Sequence, residues 1–123
     1  MTYAEEVTGT PVVIGTTGVT PDQVVQVARR GSRTEVSAAA VTAMARARAL
    51  VERAGASPEA VYGVSTGFGL LATTRIDPGR RSELQHALIR SHAAGMGAPV
   101  EVEVVRAMML LRARSLCMGF SGS

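Results

Sequence analysis

The 123-residue chain contains no lysine and no tryptophan, one cysteine, two tyrosines and two phenylalanines. A Walker-type phosphate loop needs a lysine, so that route to nucleotide binding is closed. The lone Cys117 has no internal partner for a disulfide, which reads as a cytoplasmic protein whose thiol packs in a core. Aromatic residues make up 3% of the chain beside a hydrophobic share of 46%, a balance that predicts helices packed through small side chains such as Ala, Val and Leu. The longest purely apolar run, Ala107 to Leu111, is far too short to cross a bilayer. Met1 to Thr10 contains Glu5 and Glu6 and no apolar stretch, unlike a secretory signal. All 13 basic residues are arginine, set against 10 acidic ones for a net charge of +3, and no three arginines are adjacent. That charge is too mild to demand nucleic acid; solvated helix faces are the reading. His86 and His92 are six apart and lack helical ligand spacing, so no metal is expected.

What is present is organised as one domain or part of one, mainly α, with a short extended element near the N-terminus. Pro11 to Thr20 (PVVIGTTGVT) is β-branched and punctuated by glycine, which predicts an extended element over 11–20. Thr20, Pro21 and Gln23 then offer an N-cap, a first-turn proline and a capping-box partner, and Gly31 offers a stop, giving a helix over 21–30. Thr34 to Ser37 reads as an extended connector. Ser37 can cap a second helix over 37–54, with Val41, Met44, Ala45, Val51 and Ala54 on neighbouring turns. Asp77-Pro78 opens a third over 78–94, and a fourth runs over 100–118 with Val104, Val105, Met108, Leu111 and Leu116 facing inward.

Between the second and third helices, residues 62–76 are rich in Gly, Thr and Ser and lack periodicity, which predicts a loop of the length that usually carries function. Gly67-Phe68-Gly69-Leu70-Leu71-Ala72 formally matches a dinucleotide fingerprint, yet Asp77-Pro78 leaves no room for the long helix that such a unit needs. Gly119-Phe120-Ser121-Gly122 falls short of a nucleophile elbow and follows a helix rather than a strand. Tyr62 stands at the head of the loop. A free phenol has a pKa of about 10, so acting as a base at neutral pH requires a nearby cation or hydrogen-bond donors. On composition alone, a loop tyrosine is more often a packing or hydrogen-bonding residue. His92, near a helix end, is on the same footing as a capping residue.

Three blocks carry a more specific pattern: Val61 to Ile76 (VYGVSTGFGLLATTRI), Leu84 to Gly97 (LQHALIRSHAAGMG) and Val105 to Gly122 (VRAMMLLRARSLCMGFSG). In this order they resemble the opening of the aromatic amino acid ammonia-lyases, and within them the histidine ammonia-lyases most of all. The resemblance implies the N-terminal part of an L-aspartase-like helical fold and an enzyme that eliminates ammonia from an amino-acid substrate, giving trans-urocanate from L-histidine. It implies Tyr62 as the general base, His92 and Gly69 as substrate-binding residues, and Gly63, Thr66, Gly67 and Phe68 as the loop that shapes the pocket. It also implies a full-length homotetramer and a 4-methylideneimidazol-5-one electrophile formed from an internal Ala-Ser-Gly. No Ala-Ser-Gly occurs among the 123 residues, so the chain is expected to be a fragment that is inactive alone. Two alternatives remain at this point. One is a phenylalanine or tyrosine ammonia-lyase or 2,3-aminomutase fragment, and the other is a non-catalytic helical interaction module.

Overall fold

A computed structural model describes residues 10–122. The stretch over residues 1–9, where the sequence is unlike a secretory signal, lies outside the described residues. The chain divides into two compact units, one formed by its two ends (up to Arg48 and from Pro99 onward) and one by Ala49–Ala98.

The first unit begins with strand β1, Val12–Ile14. Its alternation is the period of a strand with one buried face: Val12 and Ile14 are buried and Val13 is exposed. Helix α1, Pro21–Arg30, starts where Thr20 and Gln23 exchange both bonds of a capping box, with Thr20 N–H donating to Gln23 Oε1 at 2.8 Å and Gln23 N–H to Thr20 Oγ1 at 3.2 Å. Strand β2, Thr34–Val36, pairs parallel with β1, Val12 opposite Thr34 and Ile14 opposite Val36. The expected connector over 34–37 is thus a strand. Its pairing is non-local and its residues are all exposed, so no alternation announces it.

Helix α2, Ala38–Ala56, is started by Ser37, whose Oγ accepts from Ala40 N–H at 3.2 Å. Helix α4, Val102–Cys117, completes the unit by packing on α1. The core gathers Ile14, Ala40, Leu110 and Cys117, with Val19, Val24, Val27, Met44 and Ala113 against it. This corrects the expected inward face of α4: Val104, Val105, Met108 and Leu111 are exposed, whereas Leu110 and Cys117, a helical seven apart, are buried. On α2, Val41 is likewise exposed and Ala40 buried. Both helices carry apolar side chains on more than one face, so periodicity alone does not choose between them. Where α4 ends, Gly119 (φ 75°) runs against α2. A Cβ there would lie 2.7 Å from the Ala43 carbonyl carbon, so only glycine allows this approach.

The second unit holds the last turns of α2, the segment bearing Tyr62, and helix α3, Arg81–His92. The expected helix over 78–94 is shorter at both ends: its first three residues, Pro78–Arg80, form a separate 3-10 turn, and the α-helix ends at His92. Asp77 Oδ1 accepts from Gly79 N–H at 2.8 Å and caps this tighter turn, and regular α geometry begins only at Arg81. Among the described residues, no helix is long and apolar enough to cross a membrane.

Candidate active site

The Tyr62 segment is an ordered, folded-back loop. Val61 begins a tight turn in which its carbonyl accepts from Val64 N–H at 3.1 Å and Ser65 N–H at 2.9 Å, and Tyr62 occupies that turn. Two fully buried hydroxyls fasten it. Ser65 Oγ accepts from Val61 N–H at 2.9 Å, while Thr66 Oγ1 accepts from Gly63 N–H at 3.3 Å and donates to the Gly67 carbonyl at 3.1 Å. Short hydroxyl side chains suit the task because each satisfies local backbone groups that the turn leaves unpaired.

The return strand closes the loop through a short antiparallel ladder. Thr66 pairs with Arg75, Gly67 N–H donates to the Thr74 carbonyl at 3.1 Å, and Ile76 N–H donates to the Ser65 carbonyl at 2.9 Å. Gly67 must be glycine where the chain doubles back, since a Cβ would lie 2.6 Å from Leu71 Cβ. Gly69 opens a single 3-10 turn, Gly69–Leu71, instead of the long helix of a dinucleotide-binding unit.

This framework brings Tyr62, Gly63, Thr66, Gly67 and Phe68 together. The Tyr62 and Phe68 rings meet edge to face with centroids 6.0 Å apart, yet Tyr62 remains 63% exposed, so its phenol is presented outward from a base whose hydroxyls are buried. Gly69 is exposed beside them. His92 is the last residue of α3 and is also exposed; its Nδ1 lies 2.9 Å from the Leu88 carbonyl and 3.0 Å from Ser91 Oγ, both on its own helix. Those bonds fix the ring through one nitrogen and leave Nε2 for another partner. A neighbouring pocket of about 440 Å³, bounded by Thr74, Arg75, Asp77, Arg80 and Glu83 among others, has neither Tyr62 nor His92 in its walls.

The electrostatics of this unit are dominated by arginine. Arg80 Nε and Glu83 Oε2 pair at 3.0 Å on the surface; this hydrogen bond and the Glu83 charge raise the Arg80 pKa, while the bond and the Arg80 charge lower that of Glu83. Arg75 donates to the carbonyls of Pro58 and Ser57, the latter at 2.7 Å, and Arg81 Nη2 donates to the Gly55 carbonyl at 2.8 Å. Reading the sequence alone misses Ser65, Arg75 and Arg81. The alternation in Thr73-Thr74-Arg75-Ile76 is the one local signal of a strand, and nothing local names its side-chain partners. Among the described residues, no group of three or more His, Cys, Asp or Glu side chains is placed to hold a metal ion.

The family model for aromatic amino acid lyases matches residues 19–123. The chain belongs to that family. Over 111 residues, this lyase chain is 57% identical to histidine ammonia-lyase of Streptomyces avermitilis, a match covering 90% of the chain and 22% of that protein. It is 48% identical over 101 residues to histidine ammonia-lyase of Deinococcus radiodurans, covering 82% of the chain and 19% of that protein. Among solved structures, the lyase chain superposes on histidine ammonia-lyase from Trypanosoma cruzi with a TM-score of 0.82 and 37% identity, covering 92% of the chain and 22% of that structure. Tyrosine aminomutase from Streptomyces globisporus gives a TM-score of 0.85 and 29% identity, covering 93% and 22%. The lyase chain therefore spans about a fifth of the length of the curated relatives it matches. Its mainly helical architecture with a two-stranded parallel element is that of the aspartase-like ammonia-lyases and aminomutases.

Proposed function

We propose that this chain is the tyrosine-bearing part of a histidine ammonia-lyase, an enzyme that converts L-histidine to trans-urocanate and ammonia. The observation that carries the reading is an exposed phenol mounted on a loop whose buried hydroxyls are satisfied internally, in a chain 57% identical to a histidine ammonia-lyase. Tyr62 is the general base: its oxygen takes the β-proton, the C–H electron pair becomes the Cα–Cβ double bond, and ammonia leaves with the C–N pair. His92 orients the substrate ring through the nitrogen not held by its own helix. Gly69 lets substrate approach the backbone, and Gly63, Thr66, Gly67 and Phe68 shape the pocket wall.

The family's 4-methylideneimidazol-5-one is made from Ala-Ser-Gly, and these residues do not supply it, because the tripeptide occurs nowhere among the 123. The base and positioning roles are therefore this segment's contribution, and the segment alone releases no ammonia. The full-length enzyme works as a cytoplasmic homotetramer on this reading. A second reading, a 2,3-aminomutase, is favoured by the TM-score of 0.85 to a tyrosine aminomutase, but its 29% identity falls below the 37% shared with the solved histidine ammonia-lyase.

The test is steady-state turnover by the full-length protein and its Tyr62→Phe variant, followed by urocanate absorbance. The variant is expected to lose kcat by roughly 10²- to 10⁴-fold, the usual worth of a general base, at nearly constant KM. Turnover of tyrosine or phenylalanine but not histidine, or a β-amino acid product, refutes the substrate assignment. A Tyr62→Phe variant with kcat close to the parent value refutes the base.

A further inference from the structure

We propose that Arg75 and Arg81 are positioning residues that hold the Tyr62 loop and the His92-bearing helix to one set of backbone carbonyls at the end of α2; this rests on the reading of Tyr62 as the base. The last carbonyls of an α-helix have no partner within it and carry the negative end of its dipole. Gly55, in the last turn of α2, gives its carbonyl to a guanidinium group, and so do Ser57 and Pro58 in the chain that follows the helix.

Arg75 sits on the return strand opposite Thr66, and its planar head reaches the consecutive carbonyls of Ser57 and Pro58. Two donors in one rigid plane are what a guanidinium offers; an ammonium would hold one carbonyl and release the other. The chain running from Pro58 into Tyr62 is thereby tied to the strand leaving the loop, and the Ser65 and Thr66 hydroxyls close the same circuit from inside.

Arg81 makes the matching tie for α3. It is the first residue of the helix that ends in His92, and it bonds the Gly55 carbonyl across a sequence gap of 26 residues. Its head lies so close over Gly55 that a Cβ there would be 2.9 Å from Nη1. Its Nε is buried without a partner, an arrangement that works against stability. A half-buried guanidinium with one buried, unsatisfied donor is more than a tie for folding requires, and the excess is accounted for if α3 must be held in one place.

The test uses the full-length protein, steady-state ammonia release from L-histidine, and hydrogen exchange at the amides of Val64, Ser65, Gly67 and Ile76. Arg75→Ala removes both bonds; Arg75→Lys keeps the charge and one bond. Arg75→Ala is expected to lower kcat roughly 10- to 100-fold, the scale of an ångström-sized misplacement, with KM within about threefold. Exchange at the four amides accelerates alongside, and Arg75→Lys recovers part of both. Arg81→Met, which keeps the stem over Gly55 without its polar head, lowers kcat in the same way and speeds exchange in the first turn of α3. A kcat within about twofold of the parent in Arg75→Ala and Arg81→Met overturns the proposal. So does a loss that follows only the folded fraction and is not relieved by Arg75→Lys. If the parent protein releases no ammonia from L-histidine, it is the reading of Tyr62 that fails, and exchange alone then decides the tie: acceleration supports it and unchanged rates overturn it.

Discussion

Replacing Ser65 by alanine tests whether buried hydroxyls, rather than the ladder alone, keep the tyrosine loop closed. The side chain is fully buried, so alanine leaves its Cβ in place and removes only the oxygen. Two contacts go with it: a good bond from Val61 N–H at 2.9 Å, and a long one to the Glu59 carbonyl at 3.5 Å that contributes little. An amide left without a partner loses about 1–3 kcal/mol, and because Val61 is only half-buried the lower part of that range, about 1–2 kcal/mol, applies. Such a loss multiplies the open population of the loop roughly 5- to 30-fold. Hydrogen exchange in the full-length chain reads it directly: the amides of Val61, Ser65 and Ile76 should speed up by that factor while those of α1 and α4 do not. Rates at Ser65 and Ile76 unchanged within about twofold would refute the reasoning, and so would an equal acceleration throughout α1 and α4, which signals global loss.

Two further outcomes test the packing and the surface charge. Gly119→Ala drives a Cβ to within 2.8 Å of Ala43 Cβ at a φ of 75°, and should reduce stability by about 2–4 kcal/mol in a denaturant titration. Gly69→Ala, with a φ of 57° but nothing within 4 Å, should lose only about 1–2 kcal/mol; equal losses at the two sites would rule out the clash as the cause. Because the Glu83 carboxyl is held below its ordinary value of 4.5, the Arg80 pair stabilises fully above that pH and fades as pH falls through the lower folded value. Both side chains are exposed, so the effect is small. Thermal melts of Glu83→Gln should therefore show a slightly shallower decline below about pH 4.5 than those of the parent, and identical curves would contradict the pairing.

Signals acting within a few residues are legible in the sequence. Thr20 and Gln23 make a capping box, Ser37 caps α2, and Tyr62 heads a loop, each for reasons carried by near neighbours. Features that depend on distant partners are not. The apolar residues of α4 surround it, and only the presence of α1 and α2 decides that Leu110 and Cys117 go inward while Met108 stays out. Thr34–Val36 becomes a strand because β1 lies alongside, not because its own side chains alternate in burial. In the candidate site, the tyrosine loop is legible as a motif, but its fastening is not. Ser65 and Arg75 bond to backbone groups, and backbone groups have no letter in the sequence.

The fork of Arg75 has a mechanical meaning. A chain held at one point retains a pivot and can swing, whereas two bonds from one flat group to successive carbonyls also set its twist. The stretch between Pro58 and Tyr62 is thus gripped like a bracket at its root, in addition to the hydroxyl bonds that Val61 and Gly63 make on either side of the phenol. The phenol itself stays exposed, because neither of the two Arg75 bonds touches its ring.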